Sequence, residues 1–143
     1  IFNIPTIVIP LNLAIARQYK NYLISTKVFV DEHNEKVSLK ELFEKDLIFR
    51  QKKEDFDKAK IKPLDPTSSQ IHKLVIEMDD HIINGKKYNQ EEEELNQKFW
   101  NIYCSLYNKD KNAKDEISVN GKLKIYSRFD ISFLKENHDW FLN

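Results

Sequence analysis

Glycine is nearly missing from this chain. Its 143 residues contain two, Gly85 and Gly121. Neither a P-loop nor a G-x-G-x-x-G dinucleotide turn can be built, because both need several glycines for the backbone to approach a phosphate. A G-x-S-x-G nucleophile elbow is excluded on the same ground. The single cysteine, Cys104, excludes an intramolecular disulfide and leaves no zinc-ligand spacing. Flanked by Ile102, Tyr103 and Leu106, it reads as a buried small hydrophobe rather than a nucleophile. Arginine is scarce too, with three (Arg17, Arg50, Arg128) among 23 basic residues, the rest being lysine. Arg is the residue that contacts phosphates and bases bidentately, and the formal net charge is zero. No concentrated basic face is expected, and nucleic acid is not an expected partner. No apolar run approaches the ~20 residues that cross a bilayer, so no transmembrane segment is expected. Pro5 and Pro10 break the apolar N-terminal stretch, which also lacks the basic region of a signal peptide. A cytoplasmic location is the resulting expectation.

What is present suffices for a packed core: 41% of the residues are hydrophobic and 12% aromatic. The purest strand signal is Thr6-Ile7-Val8-Ile9, a β-branched run closed by prolines. A run apolar on both faces belongs to the centre of a sheet covered by helices. No later segment offers it several obvious partners, and the chain carries no initiator Met. The chain therefore reads as the C-terminal part of a larger α/β protein, with an upstream N-terminal domain of the same chain as its partner. After Pro10, Asn12 to Tyr19 opens either a helix, with Asn12 as N-cap, or a functional loop. Lys27 to Val30 reads as a short strand, followed by a turn over Asp31 to Glu35.

Helices dominate the remainder. Ser38 and Glu41 have capping-box spacing ahead of Leu39, Leu42 and Phe43. Asp46 to Lys62 is charge-dense and reads as a solvated helix or loop. Asp65-Pro66 supplies a cap and an N1 proline for the clearest helix. There Ile71, Leu74, Val75, Met78 and Ile82 mark one face, and Asn84-Gly85 ends it. Asn89 and Glu92 cap the next helix, whose expected stripe is Leu95, Phe99, Ile102 and Leu106, with Trp100, Tyr103 and Tyr107 beside it. Ile117 to Ile125 suggests a hairpin around Asn120-Gly121, and Asp130 to Leu142 an aromatic-rich terminal helix. The expected fold class is thus helix-rich α/β, with one central buried strand, two or three minor ones and several helices. Residues 1–143 form a single partial domain with a helical tail.

Candidate chemistry is sparse. Glu77 and His81 are neighbours at i and i+4, able to act as an acid/base couple or bind a metal, or to form an ordinary pair at the border of the buried stripe. His33, His72 and His138 have no sequence-near partner. Glu91 to Glu94 fit the first turn of a helix, where the dipole favours acids. Ligands of open α/β sheets bind outside the carboxyl ends of the strands, which puts Pro10, Leu11 and Asn12 nearest a pocket and Arg17 just beyond. Asn12 is the candidate substrate-binding residue. Catalytic residues are not assignable, and no metal or cofactor is expected.

The order of the segments resembles the C-terminal portion of a family of glycosyltransferases from bacterial surface-carbohydrate (lipopolysaccharide or capsule) gene clusters. The matching blocks are Ile4 to Asn12, Lys27 to Asp31 with Val37 to Leu42, Asp65 to Ile71 with Val75 to Met78, and Ser127 to Leu134. The resemblance implies a GT-B arrangement of two Rossmann-like domains, with the C-terminal one holding a nucleotide-sugar donor and transfer to a carbohydrate acceptor needing no metal. It also implies that the chain is a partial Rossmann-like unit, that Thr6 to Ile9 is a late strand of the donor domain and that Asn12 lines the donor pocket. The donor loop such enzymes carry before this strand is not in the sequence, so this segment alone is expected to be inactive. The alternative is a small helical protein-interaction module without catalytic activity. A third possibility is an enzyme that uses Glu77 and His81.

Overall fold

The computed structural model describes residues 4–10, 20–110 and 126–142. The expected opening at Asn12 and the expected hairpin at Ile117 to Ile125 both lie outside them. Among the described residues the fold is α/β, with six α-helices and two small sheets.

The first sheet has three parallel strands: β1 (Thr6–Val8), β2 (Tyr22–Ile24) and β5 (Arg128–Phe129), in the order β1-β2-β5. Thr6 pairs with Tyr22, Ile7 with Leu23 and Val8 with Ile24, while Leu23 and Ile24 pair on their other side with Arg128 and Phe129. This corrects two expectations. The central strand is β2, whose Leu23 and Ile24 are fully buried, whereas β1 is half-buried and has one described neighbour. The described partner of β1, β2, also comes from this chain. The apolar pattern of β1 has a different cause from centrality. Ile7 and Ile9 pack with Leu23, Leu74, Met78 and Ile82 on one face, and Val8 reaches the main core on the other. Both faces are covered although the strand has one neighbour among the described residues.

The second sheet pairs β3 (Val28–Val30) with β4 (Lys62–Leu64), antiparallel, placing Phe29 opposite Pro63. A two-stranded ribbon tolerates proline, because one side of each strand has no ladder to supply. Between these strands lie α1 (Leu39–Glu44) and α2 (Lys53–Lys58). Ser38 accepts from the Glu41 amide, as its spacing predicts. The charge-dense stretch is not merely solvated, since Leu47, Ile48, Phe56 and Ile61 are all buried and Phe56 stacks on Phe29 at 5.6 Å.

Helix α3 (Ser68–Glu77) is capped by Thr67, whose side chain accepts from the Gln70 amide, so the cap lies two residues beyond the expected Asp65. Its expected stripe is only partly buried. Leu74 and Met78 are covered, but Ile71 and Val75 are 44% and 51% exposed. Three strands span about 10 Å, too narrow a platform to cover the whole apolar arc of a helix. Beyond Glu77 the helix widens into a π-helical turn, Met78–Ile83, closed by the Asn84 amide donating to the Asp79 carbonyl at 3.0 Å. Gly85, with φ +71°, then ends it.

Helix α4 (Gln90–Lys109) begins with a complete Asn89/Glu92 capping box. Its buried line is Phe99, Trp100, Tyr103, Cys104 and Tyr107, while Leu95, Ile102 and Leu106 sit at the border. The stripe is rotated from expectation because the rings, not the aliphatic residues, fill the space toward the C-terminal segment. That segment holds α5 (Ile131–Glu136) and α6 (His138–Leu142), two short helices where one was expected. Asp130 caps α5, and Trp140 and Phe141 complete the aromatic core. No described helix is long and apolar enough to cross a membrane.

Candidate functional site at the carboxyl edge of the sheet

Because the three strands are parallel, their carboxyl ends lie on one side, and the next residues meet there. The ladder runs one step past β2, with the Ser25 amide donating to the Val8 carbonyl at 2.8 Å. From the other flank the Asp130 amide donates to the Ile24 carbonyl at 2.8 Å. Ser25 and Asp130 are therefore held by backbone, and both are buried, as is Thr26. The Ser25 and Asp130 side chains satisfy each other, while the Thr26 hydroxyl donates to the Lys27 carbonyl at 3.0 Å. The Ser25 hydroxyl donates to Asp130 Oδ2 at 2.7 Å, and Asp130 Oδ1 accepts from the Phe133 amide at 3.1 Å. Gln70, on the first turn of α3, reaches in and donates to Ser25 Oγ at 3.1 Å and the Thr26 carbonyl at 3.2 Å. Burial raises the Asp130 carboxyl above its ordinary value, against the lowering effect of the Ser25 hydroxyl.

Outside this network is a cavity of about 240 Å³ lined by Thr67, Ser69, Gln70, Lys73, Ser132 and Asn137 among others. Lys73 pairs with Glu136 at its rim. The cavity faces the start of α3, where the first amides lack intrahelical acceptors and the dipole favours an anion. The lining sets hydroxyls, amides and the Lys73–Glu136 ion pair beside Val28 and Phe133, a mixed surface with hydrogen-bonding groups for a polar ligand.

A second polar cluster lies at the other end of α3. Glu77 is 5% exposed, so the Glu77/His81 pair is not an ordinary surface pair. Its Oε1 accepts from the Ile131 amide at 2.9 Å, and its Oε2 pairs with the Tyr88 hydroxyl at 2.7 Å. His81 stacks on the Tyr88 ring at 3.8 Å, and the Arg128 guanidinium lies 3.8 Å from the centre of the same ring. Two groups that close must occupy opposite faces, so Tyr88 is sandwiched. Burial pushes the Glu77 carboxyl up to about 7, despite its hydrogen bonds from Tyr88 and Ile131. Burial likewise raises the Tyr88 hydroxyl.

Of the residues singled out in the sequence, Pro10 is buried at the end of β1, whereas Leu11, Asn12 and Arg17 lie outside the described residues. Cys104 is buried. The acids of α4 have structural partners: Glu92 closes the capping box and pairs with Lys135, and Glu93 pairs with Arg128 at 2.7 Å. Among the described residues, no group of three or more His, Cys, Asp or Glu is placed to hold a metal ion. Sequence reasoning missed Ser25, Thr26, Gln70 and Tyr88 as site residues. The usable signal was a two-residue polar step directly after the short apolar run Tyr22-Leu23-Ile24. No protein-family model matches the chain, and comparison with curated proteins and with solved structures gives no significant match.

Proposed function

We propose that this chain contributes to a nucleotide-sugar-dependent glycosyltransferase of bacterial surface-polysaccharide synthesis, and that the donor docks outside the carboxyl edge of β1, β2 and β5. The observation that carries the reading is the parallel sheet whose strands end together at Ser25, Thr26 and Asp130 beside the cavity. Open parallel sheets take their ligands there, and nucleotide sugars offer the diphosphate and hydroxyls such a lining recognises. The resemblance of the ordered sequence blocks supports the choice of donor class. In this reading the acceptor hydroxyl attacks the anomeric carbon, the bond to the nucleoside diphosphate breaks and that group leaves, and the hydroxyl proton passes to a catalytic base of the assembled enzyme, with this segment inactive alone.

Amide chemical shifts of the chain, followed during titration with UDP, CMP and GDP and then their sugar conjugates, test it. Expected are saturable shifts at Ser25, Gln70 and Ser132 for one base, weakened severalfold in Gln70→Ala. Shifts confined to other surfaces, or none at millimolar nucleotide, sink the reading.

A further inference from the structure

We propose that Glu77 is a proton-dependent latch: a proton held at the Glu77–Tyr88 contact fastens the start of α5 to α3, and its loss loosens that end of the sheet. The latch is a property of the free chain and stands or falls separately from the donor reading.

The geometry supplies the parts. Glu77 joins three elements, because it sits at the last turn of α3, touches Tyr88 from the connection to α4, and accepts the first amide of α5. Tyr88 cannot swing away easily, since its ring is fixed between His81 and Arg128, and His81 is itself held at 2.6 Å from the Lys86 carbonyl. The groups facing Glu77 are the Tyr88 hydroxyl, the Asp130 carboxyl and the Arg128 guanidinium, with His81 one turn on along its own helix. The one cation among the first three, Arg128, is already paired with Glu93.

When protonated, Glu77 donates to Tyr88 Oη while its carbonyl oxygen accepts from Ile131, so both contacts persist and no carboxylate charge is buried. When ionised, it keeps both contacts but buries a charge beside a second carboxyl, Asp130, which caps the same helix. Relief comes from opening toward water, which separates Ile131 from Glu77. Burial sets the sign. The folded carboxyl titrates at about 7 against an ordinary 4.5, so the closed form binds the proton more tightly than the open one. Closure is therefore fullest below pH 4.5 and weakens as the pH rises to about 7, beyond which it levels off.

Amide exchange and chemical shifts of Ile131, recorded on the whole chain between pH 5 and 8, test the latch. Expected is a loss of Ile131 protection by up to about tenfold per pH unit between 5 and 7, with the amide shift titrating near 7. In Glu77→Gln, whose amide keeps both hydrogen bonds, protection stays flat at its pH 5 level. Tyr88→Phe, which loses the hydroxyl, has weak protection throughout. A wild-type Ile131 that does not titrate, or a Glu77→Gln chain that still does, overturns the proposal. So does a His81→Phe chain that no longer titrates, since the proton then belongs to His81. If the Glu77 variants do not fold, the carboxyl carbon of Glu77 in the wild type decides: a midpoint near 7 supports the latch and one near 4.5 overturns it.

Discussion

Phe99 shows how much one residue can carry here. Its ring lies 4.1 Å from Phe129, 4.9 Å from Trp100 and 5.9 Å from Trp140, joining α4 to β5 and α6. Phe99→Ala is expected to cost about 3–5 kcal/mol, read as a shift in the urea midpoint without a large change in slope. That is a large share of the roughly 5–15 kcal/mol typical of a domain. Asp130→Ala is expected to cost about 1–3 kcal/mol by stranding the Ser25 hydroxyl and the Phe133 amide, while Asp130→Asn keeps an acceptor and loses less. Helical spacing alone made Phe99 legible as core. Glu77 was not legible, because a carboxyl at the border of an apolar stripe is ordinarily wet. What buries it is the return of Tyr88 after Gly85 and the arrival of α5 from 54 residues away, and neither is written near Glu77.

Helix ends are the element-scale theme. Helices α1 and α2 both finish on a left-handed residue that is not glycine, Asp46 at φ +59° and Lys60 at φ +58°. The closing bonds are those of a Schellman turn: after α2, the Ile61 amide donates to the Phe56 carbonyl at 3.0 Å and the Lys60 amide to Asp57 at 3.0 Å. Lys60→Gly removes the steric cost of that conformation and is expected to stabilise by about 1 kcal/mol, raising the melting temperature by roughly 3 °C. Thr67→Ala is expected to act in the opposite sense by about 1 kcal/mol, measured in the same melt. Caps were the most legible elements: Ser38 and Asn89 function as their spacing predicts. Strands β2, β4 and β5 were the least legible. They are two or three residues long, too short for any periodicity, and they exist because partners far along the chain complete them.

At the scale of the molecule, the C-terminal segment is structural rather than a tail. Phe129, Phe133, Leu134, Trp140 and Phe141 are all buried in the main cluster. Deleting residues 138–142 removes two aromatic core residues, and loss of the near-ultraviolet circular dichroism band with a broadened, non-cooperative urea transition is expected. Retention of a sharp transition would mean the core closes without α6. The helix-rich α/β class was legible from composition and periodicity. The parallel order β1-β2-β5 was not, because β5 pairs with a strand a hundred residues earlier and pairing over that distance leaves no local mark.

That long-range pairing also has a consequence in time. The Ser25–Asp130 bond joins residues 105 positions apart, so a ribosome working at about 5–20 residues per second releases β2 some 5–20 s before β5 exists to cover it. Through that interval the edge of Leu23 and Ile24 that β5 will occupy stays open. A chaperone that grips short apolar stretches would find its foothold there, and newly made chain would be most prone to clump just before β5 emerges.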